Sequence, residues 1–430
     1  MSTFLAAKIT KAKVWNDLWS WQVAPCTLAV VAGPLITTVY RVTGSPDVQV
    51  GSLSLAQMLR GLLCLTMVLS LFLSGRLGLL CHPLIRPLIF LSAYAMVTLL
   101  IVPYPYENIV FAVKLMFVSL VFANAFHFAE SRLCSEYWLT LSAWTVLLFM
   151  VISQAIGLAT GHTAATYQSS YATAGLIDQP AVTAALIVST LPIFLRFFPD
   201  RGHSVFGVLL LLISVFFTMR RTELAAAFAA LLLVALRLMA APQSRASCAK
   251  AALAILVIGL LTAAVLRTQA GADLLARIRD LNPREGSGSG RYSFWSISLD
   301  HIVDRSIGAQ IGGEGMESIR DIMDEHLGQS IGAHNDWLGL THAFGMFGLA
   351  AIVWWYFKLM RFTSYLLKLK DPAFQGALSA LVIFIVISLG QGGFYDPSLG
   401  MMYAALGFWA GRSSYWEPFC YVESAFYRAV

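Results

Sequence analysis

Apolar residues along this chain come in long unbroken blocks, not in alternation. Blocks of about eighteen or more apolar residues read as membrane-spanning helices. Twelve are predicted, at 23–42, 53–73, 83–102, 109–128, 137–158, 176–197, 203–219, 223–239, 249–267, 335–357, 373–392 and 397–413. Spanning β-strands would instead alternate apolar and polar positions over about ten residues. Most connections are short; the exception is 268–333, which is long and rich in charge. Composition narrows the class further: 58% of residues are hydrophobic and 12% charged, with mean hydropathy +0.72. Ordinary soluble domains carry about 25% charged residues. A soluble α/β enzyme and a disordered chain are therefore excluded, and the expected fold is an all-α integral membrane protein.

Three regions follow. Residues 1–267 hold helices 1–9 behind an inner N-terminus, 268–333 form a helical outer loop, and 334–430 hold helices 10–12 and an inner C-terminus. The basic residues set this orientation. Inner segments hold 17 of the 29 Lys and Arg, among them Lys8, Lys11, Lys13, Arg76, Arg132, Arg201, Lys358, Arg361 and Arg412. That is the positive-inside pattern. Residues 1–22 lack the separate apolar core and cleavage site of a signal peptide. The six cysteines fall in spans or inner segments and form no CxxC pair, so neither a disulfide framework nor zinc use is expected.

Some basic residues lie on the outer side, where orientation does not need them. Arg60 falls within helix 2 and Lys114 within helix 4, while Arg220 and Arg221 occupy the turn between helices 7 and 8. A charge inside a span costs at least about 2.5 kcal/mol, so it calls for a partner or a task. Snorkelling accommodates Arg60 and Lys114 taken singly, and Glu223 with lipid phosphate accommodates the arginine pair. The alternative is a site for an anionic headgroup such as a lipid-linked diphosphate, since the guanidinium fork matches phosphate oxygens.

The outer loop contains three amphipathic stretches. Residues 269–281 align Leu274, Leu275, Ile278 and Leu281; 291–305 align Trp295, Leu299, Ile302 and Val303; 315–327 align Met316, Ile319, Met323 and Leu327. The Gly-rich links 283–290 and 308–315 separate them. The GGEG of the second link follows no strand and reads as a tight turn, not a phosphate loop. Arg291 opens a helix, a place that favours anions over cations; a shared anion, or pairing with Asp300 or Glu285, would settle it. His334 stands where the loop re-enters the membrane. Neutral imidazole can take a proton from a sugar hydroxyl, and adjacent Asn335 and Asp336 are placed to orient ring or substrate. An interfacial histidine capping a helix is the plainer alternative. His342 reads as a buried, hydrogen-bonded histidine, whereas His162, His301 and His326 show no partners in sequence. No metal-ligand spacing appears, so no metal or cofactor is expected.

Four segments together resemble the O-antigen ligase and Wzy-type polymerase superfamily of bacterial surface-polysaccharide assembly. GLIDQPAVTAALIVSTLP (175–192) is similar to the start of that family's central helix, with Asp178-Gln179 in place of its usual Asn. RRTELAAAFAALLL (220–233) resembles its arginine motif, and GRYSFWSISLDHI (290–302) its GR…W segment. AHNDWLGLTHAFGMFGL (333–349) resembles its HN motif. The likeness covers roughly 170–395.

The resemblance implies a metal-independent glycosyltransferase of C-type architecture, with a periplasmic helical cap between helices 9 and 10 of a bacterial inner-membrane protein. The donor would be an undecaprenyl-diphosphate-linked glycan. The acceptor would be a lipid-linked repeat unit in a polymerase or lipid A–core in a ligase, and AHNDWL leans toward the polymerase. His334 is then the catalytic base. Arg220 or Arg221, with Arg291, holds the diphosphate, joined on the bottom-up reading by Arg60 and Lys114. Trp295, Asn335, Asp336 and Trp337 are candidate glycan contacts. Chain-length regulator and flippase proteins are the implied partners; the charge pattern gives no nucleic-acid signal. A transporter or flippase would instead show repeat symmetry and acidic residues at mid-membrane. A scaffold would give no reason for the outer bases to share a face.

Overall fold

The computed structural model describes residues 23–31, 49–50, 53–100, 105–161, 173, 175–177, 179–198, 201–240, scattered positions between 249 and 279, and 290–415. Most of the expected spans 23–42 and 249–267, the surface helix 269–281, the link 283–290 and His162 lie outside them.

Helices dominate the described residues. A helical stretch at 24–31 is followed by a two-residue antiparallel pairing of β1 (Gln49–Val50) with β2 (Leu53–Ser54). Then come α1 (Leu55–Leu73), α2 (Arg86–Val97), α3 (Pro105–Glu130) and α4 (Glu136–Ala159). The expected helix 176–197 is not continuous. It is a 3₁₀ turn at Gly175–Ile177, then α5 (Pro180–Ser189) and α6 (Leu191–Arg196). Pro180 sets the first boundary and Pro192 the second, because a proline ring has no N–H to give and crowds the preceding turn. α7 (Gly202–Phe217) and α8 (Arg221–Ala240) follow the expected pattern closely.

Residues 291–327 fold into three short helices, α9 (Arg291–Asp304), α10 (Ile307–Gly312) and α11 (Ser318–Leu327). Two details depart from the periodicity argument. The second Gly-rich link is largely helical, with Ser306 capping α10 by accepting from the Ala309 amide. The buried face of α9 carries Phe294 and Ser298, while Leu299 and Val303 are exposed.

α12 (Asp336–Lys368) runs eleven residues past its expected end and bends at Gly345, whose φ of 59° and ψ of −148° are not helical. α13 (Ala373–Gly390) and α14 (Gly400–Arg412) are the last described helices, with a 3₁₀ turn at Pro397–Leu399 between them.

Among the described residues five helices are long and apolar enough to cross a membrane: 106–130, 136–159, 221–240, 336–368 and 373–390. Surface chemistry agrees. On α1, Leu62, Leu65, Leu69 and Phe72 stand exposed at helical spacing, whereas Met67 and Leu71 are buried. In water such a stripe would drive association; against acyl chains it is solvated. Charges gather at one end of the bundle, where Glu136 pairs with Arg196 and Arg412, and Arg76 lies 3.4 Å from Glu130. All three arginines belong to the expected inner segments.

α3 is the central post, packed against α1, α2 and α14. Its contact with α14 is backbone to backbone. A Cβ at Gly407 would meet the Phe122 carbonyl, and one at Gly411 the Phe126 carbonyl. With no hydrophobic drive between helices inside a bilayer, such close approach supplies the packing energy. Gly407→Ala or Gly411→Ala should therefore cost about 1–3 kcal/mol and lower the Tm of the detergent-purified protein. Gly61→Ala, facing open space, should leave Tm unchanged or raise it.

Candidate functional site

α7 and α8 are joined by a tight reversal. Thr218 Oγ1 binds the Val215 carbonyl at 2.6 Å and accepts from the Arg220 amide at 3.3 Å. Met219, buried, takes a left-handed φ of 52°. The chain doubles back within three residues, and this left-handed residue makes the turn. The reversal delivers Arg220 and Arg221 to the N-terminal end of α8, Arg220 just ahead of it and Arg221 in its first turn. A helix N-terminus is an unfavourable place for two cations. Glu223 offsets part of that cost: its buried carboxylate lies 3.5 Å from Arg220 Nε, the pairing weighed above for the arginine pair.

The first turn of α9 meets the first turn of α8. Gly290, at φ 80°, starts α9, and Arg291 Nη1 reaches Thr222 Oγ1 at 3.4 Å. The third element is the start of α12. Asn335 is its N-cap, its side-chain oxygen accepting from the amides of Trp337 and Leu338. His334 stands just before the cap with a left-handed φ of 51°, so it is not the capping residue. Its ring lies 6.1 Å from that of Phe294. One side is open to solvent while protein crowds the others. That crowding lowers its pKa, and the positive fields of Arg291 and then Arg220 lower it further; a main-chain contact to Gln391 opposes them. His334 is thus held as neutral imidazole near pH 7.

Asp336 fixes the segment 391–396 beneath this cluster. Its two carboxylate oxygens accept separately, Oδ1 from the Gly393 amide at 2.6 Å and Oδ2 from the Phe394 amide at 3.0 Å. Asn335 Nδ2 adds a bond to the Leu389 carbonyl at 3.3 Å. The polar atoms of Asn335 and Asp336, candidate glycan contacts by sequence, are therefore engaged by the fold. Trp337 stacks on Tyr356, with centroids 5.3 Å apart and planes 11° from parallel. Trp295 Nε1 donates to the Ala333 carbonyl at 3.1 Å, tying α9 to the residue before His334.

Arg60 and Lys114 belong to a different place. They line a cavity of about 190 Å³ with Gln179, Ser189, Asp396 and Ser398. Lys114 Nζ lies 3.9 Å from Asp396 Oδ2, which supplies the partner missing from the sequence argument. Burial alone would raise the Asp396 pKa; Lys114, the Ser398 amide and Arg60 outweigh it and hold it low. No described contact joins this cavity to His334. What connects them is the segment 391–396, which touches His334 at one end and carries Asp396 at the other. The structure thus brings Arg220, Arg291 and His334 together, with Arg221 beside them in sequence, and sets Arg60 and Lys114 apart.

Sequence reasoning left His301 without a partner. In the structure it meets His342 and Glu314 from two other elements. No spacing rule joins residues so far apart in the chain.

Asp336→Ala should remove the acceptor of two main-chain amides and cost about 2–5 kcal/mol, read as a large fall in Tm. Asp336→Asn, keeping one acceptor oxygen, should fall between. Equal Tm for Asp336→Ala and the parent protein would remove Asp336 from this role.

Comparison with known proteins follows the same line. No curated protein matches the chain. Residues 206–353 match the family model described as O-antigen ligase. That stretch contains Arg220, Arg221, Arg291 and His334, and excludes Arg60, Lys114 and Asp396. This segment, about a third of the chain, is similar to the O-antigen ligase family, in line with the resemblance drawn from sequence.

Proposed function

We infer that the protein moves a glycan from a lipid diphosphate to a sugar hydroxyl at the outer face of the bacterial inner membrane. The donor lipid is undecaprenyl diphosphate and the reaction is Wzy-type polymerisation of an exopolysaccharide or O-antigen. The observation that carries this reading is the placement of neutral His334 beside Arg291 and Arg220, where the first turns of α8 and α9 meet the start of α12. On this reading residues 291–327 form the periplasmic cap of a twelve-helix protein.

The chemistry needs two things. The acceptor hydroxyl oxygen attacks the anomeric carbon as His334 takes its proton. The bond from that carbon to the phosphate oxygen breaks, and the leaving lipid diphosphate keeps the electron pair. Arg220, Arg221 and Arg291 disperse that growing negative charge as fixed cations already facing it. Amides at the first turns of α8 and α9 add to the same field. Tyr292 and Trp295, in edge contact at 6.0 Å, flank the route by which an acceptor sugar reaches His334. The Arg60–Lys114 cavity is too small for a glycan, since sites for drug-sized ligands run about 300–1,000 Å³; a phosphate group of the approaching carrier fits its basic lining. Partners follow from the reaction: a flippase that supplies the donor and a regulator of chain length.

Two measurements test this. His334→Ala should abolish transfer by membranes that still contain the protein. The acid limb of the kcat/KM profile should lie below the ordinary histidine value of 6.5, because His334 is shifted downward. Arg291→Gln removes one depressing charge and should move the limb up toward 6.5. A limb above 7, or one that Arg291→Gln leaves in place, would remove His334 as base.

Deleting the gene then separates the end uses. Core bearing a single repeat unit marks an O-antigen polymerase, and loss of secreted polymer with intact lipopolysaccharide marks an exopolysaccharide polymerase. Long chains stranded on the carrier lipid would make the protein a ligase instead.

A further inference from the structure

His301, Glu314 and His342 converge from three elements: α9, the turn after α10, and the upper part of α12. His342 Nε2 lies 3.0 Å from His301 Nδ1. Glu314 Oε2 lies 3.7 Å from the first of these atoms and 3.8 Å from the second. Those two separations are too long for hydrogen bonds, yet they are the spacings of donors around one ion. A circle through three points so separated has a radius of about 2.0 Å, and zinc lies about 2.0–2.2 Å from imidazole nitrogen and carboxylate oxygen.

The protonation pattern agrees. Ser318 Oγ donates its hydrogen to the Gly315 carbonyl at 2.7 Å. At 3.1 Å from His342 Nδ1 it can then only accept, so Nδ1 carries the proton of the neutral ring. His342 Nε2 is left as a bare lone pair facing His301 and Glu314. A ring whose far nitrogen is held by a hydrogen bond is the usual state of a metal-binding histidine.

The backbone is also fixed before any ion arrives. The amides of Glu314 and Gly315 donate to the carbonyls of His342 and Ala343 at 3.3 and 2.9 Å. A Cβ on Gly313 would strike the Ala343 carbonyl, and one on Gly345 the Ile311 carbonyl. Arg305 opposes a cation, standing 3.9 Å from Glu314 Oε2. Its guanidinium is, however, bound to the His342 and Thr341 carbonyls at 2.8 and 2.7 Å, which points it along α12.

We propose that His301, Glu314 and His342 bind a first-row divalent cation of the zinc type, with water completing its shell. His342 begins the second turn beyond Asp336, about 9 Å further along α12 from the end that carries His334. The ion is thus a clamp between α9, the Glu314 turn and α12, not a part of the transfer chemistry, and it stands or falls apart from the function proposed above. It runs against the expectation, drawn from linear spacing, of no metal site.

The full-length protein in detergent, stripped with chelator and dialysed, is titrated with Zn²⁺ against a competing indicator, and with Co²⁺ for its visible absorption. One Zn²⁺ should bind per chain, Tm should rise with Zn²⁺, and Co²⁺ should give the intense bands of a low-coordinate site. His301→Ala and the isosteric Glu314→Gln should each weaken Zn²⁺ binding at least tenfold and lose the Tm response. Because His301 and Glu314 are both part-exposed, either variant serves should the other misfold. If the parent protein binds no ion, or the variants bind as tightly as the parent, the cluster is a hydrogen-bonded triad only and the proposal is wrong.

Discussion

The Asp336 carboxylate is the joint on which the candidate site hangs. It is buried, and it holds the main chain of Gly393 and Phe394 while standing two residues from His334. A buried carboxylate needs its acceptors filled, and main-chain amides fill them at fixed geometry. The start of α12 and the segment after α13 therefore form one rigid piece. His334 at one edge and Asp396 at the other inherit their positions from it. The left-handed backbone of His334 fits this account: a locally unfavourable conformation persists where its surroundings over-determine it.

Electrostatics gives that rigid piece its direction. α8 and α9 both open on arginine, and the sequence places Arg220 just ahead of α8. Helix N-termini repel cations, so this arrangement raises the energy of the resting protein. Glu223 compensates from inside the wall, while the side open to solvent stays positive. An anion of two or three charges entering there meets guanidinium forks and helix amides together. The same field depresses the pKa of His334, so under the proposed function one set of arginines would both receive the leaving diphosphate and keep the base unprotonated.

Much of this was legible in sequence, for a physical reason. Period and composition report the local environment of a helix. That is why α4, α7 and α8 lie within two residues of expectation, and why outer-side arginines and His334 stood out against a low-charge background. What was illegible depends on distant neighbours. The bend at Gly345 exists because the Ile311 carbonyl occupies the space a side chain would need. Lys114 has its partner 282 positions away in Asp396. α9 buries Phe294 instead of Leu299 and Val303 because its apolar neighbours, Ile319 and Met323 of α11 and Ala333, lie on that side. Asn335 and Asp336 stood out because they sit beside the histidine; their bonds to the main chain of Leu389, Gly393 and Phe394 could not be read from sequence.

The short helices bear on how such a site keeps its shape. Were 291–327 a loose lid, Arg291 would move with it and the basic cluster would come apart at each opening. The contacts argue otherwise. Tyr94 Oη donates to the Gly312 carbonyl at 3.0 Å, the Met316 amide to Asn108 Oδ1 at 2.9 Å, Arg305 to two carbonyls of α12, and Trp295 to Ala333. These bonds reach α2, α3 and α12, so the helices α9 to α11 are fastened to three parts of the bundle. His334 is already exposed to solvent, so reaching it does not require lifting the segment. A rigid frame also suits the energetics, because fixed dipoles stabilise a developing charge only when they need not reorganise to meet it.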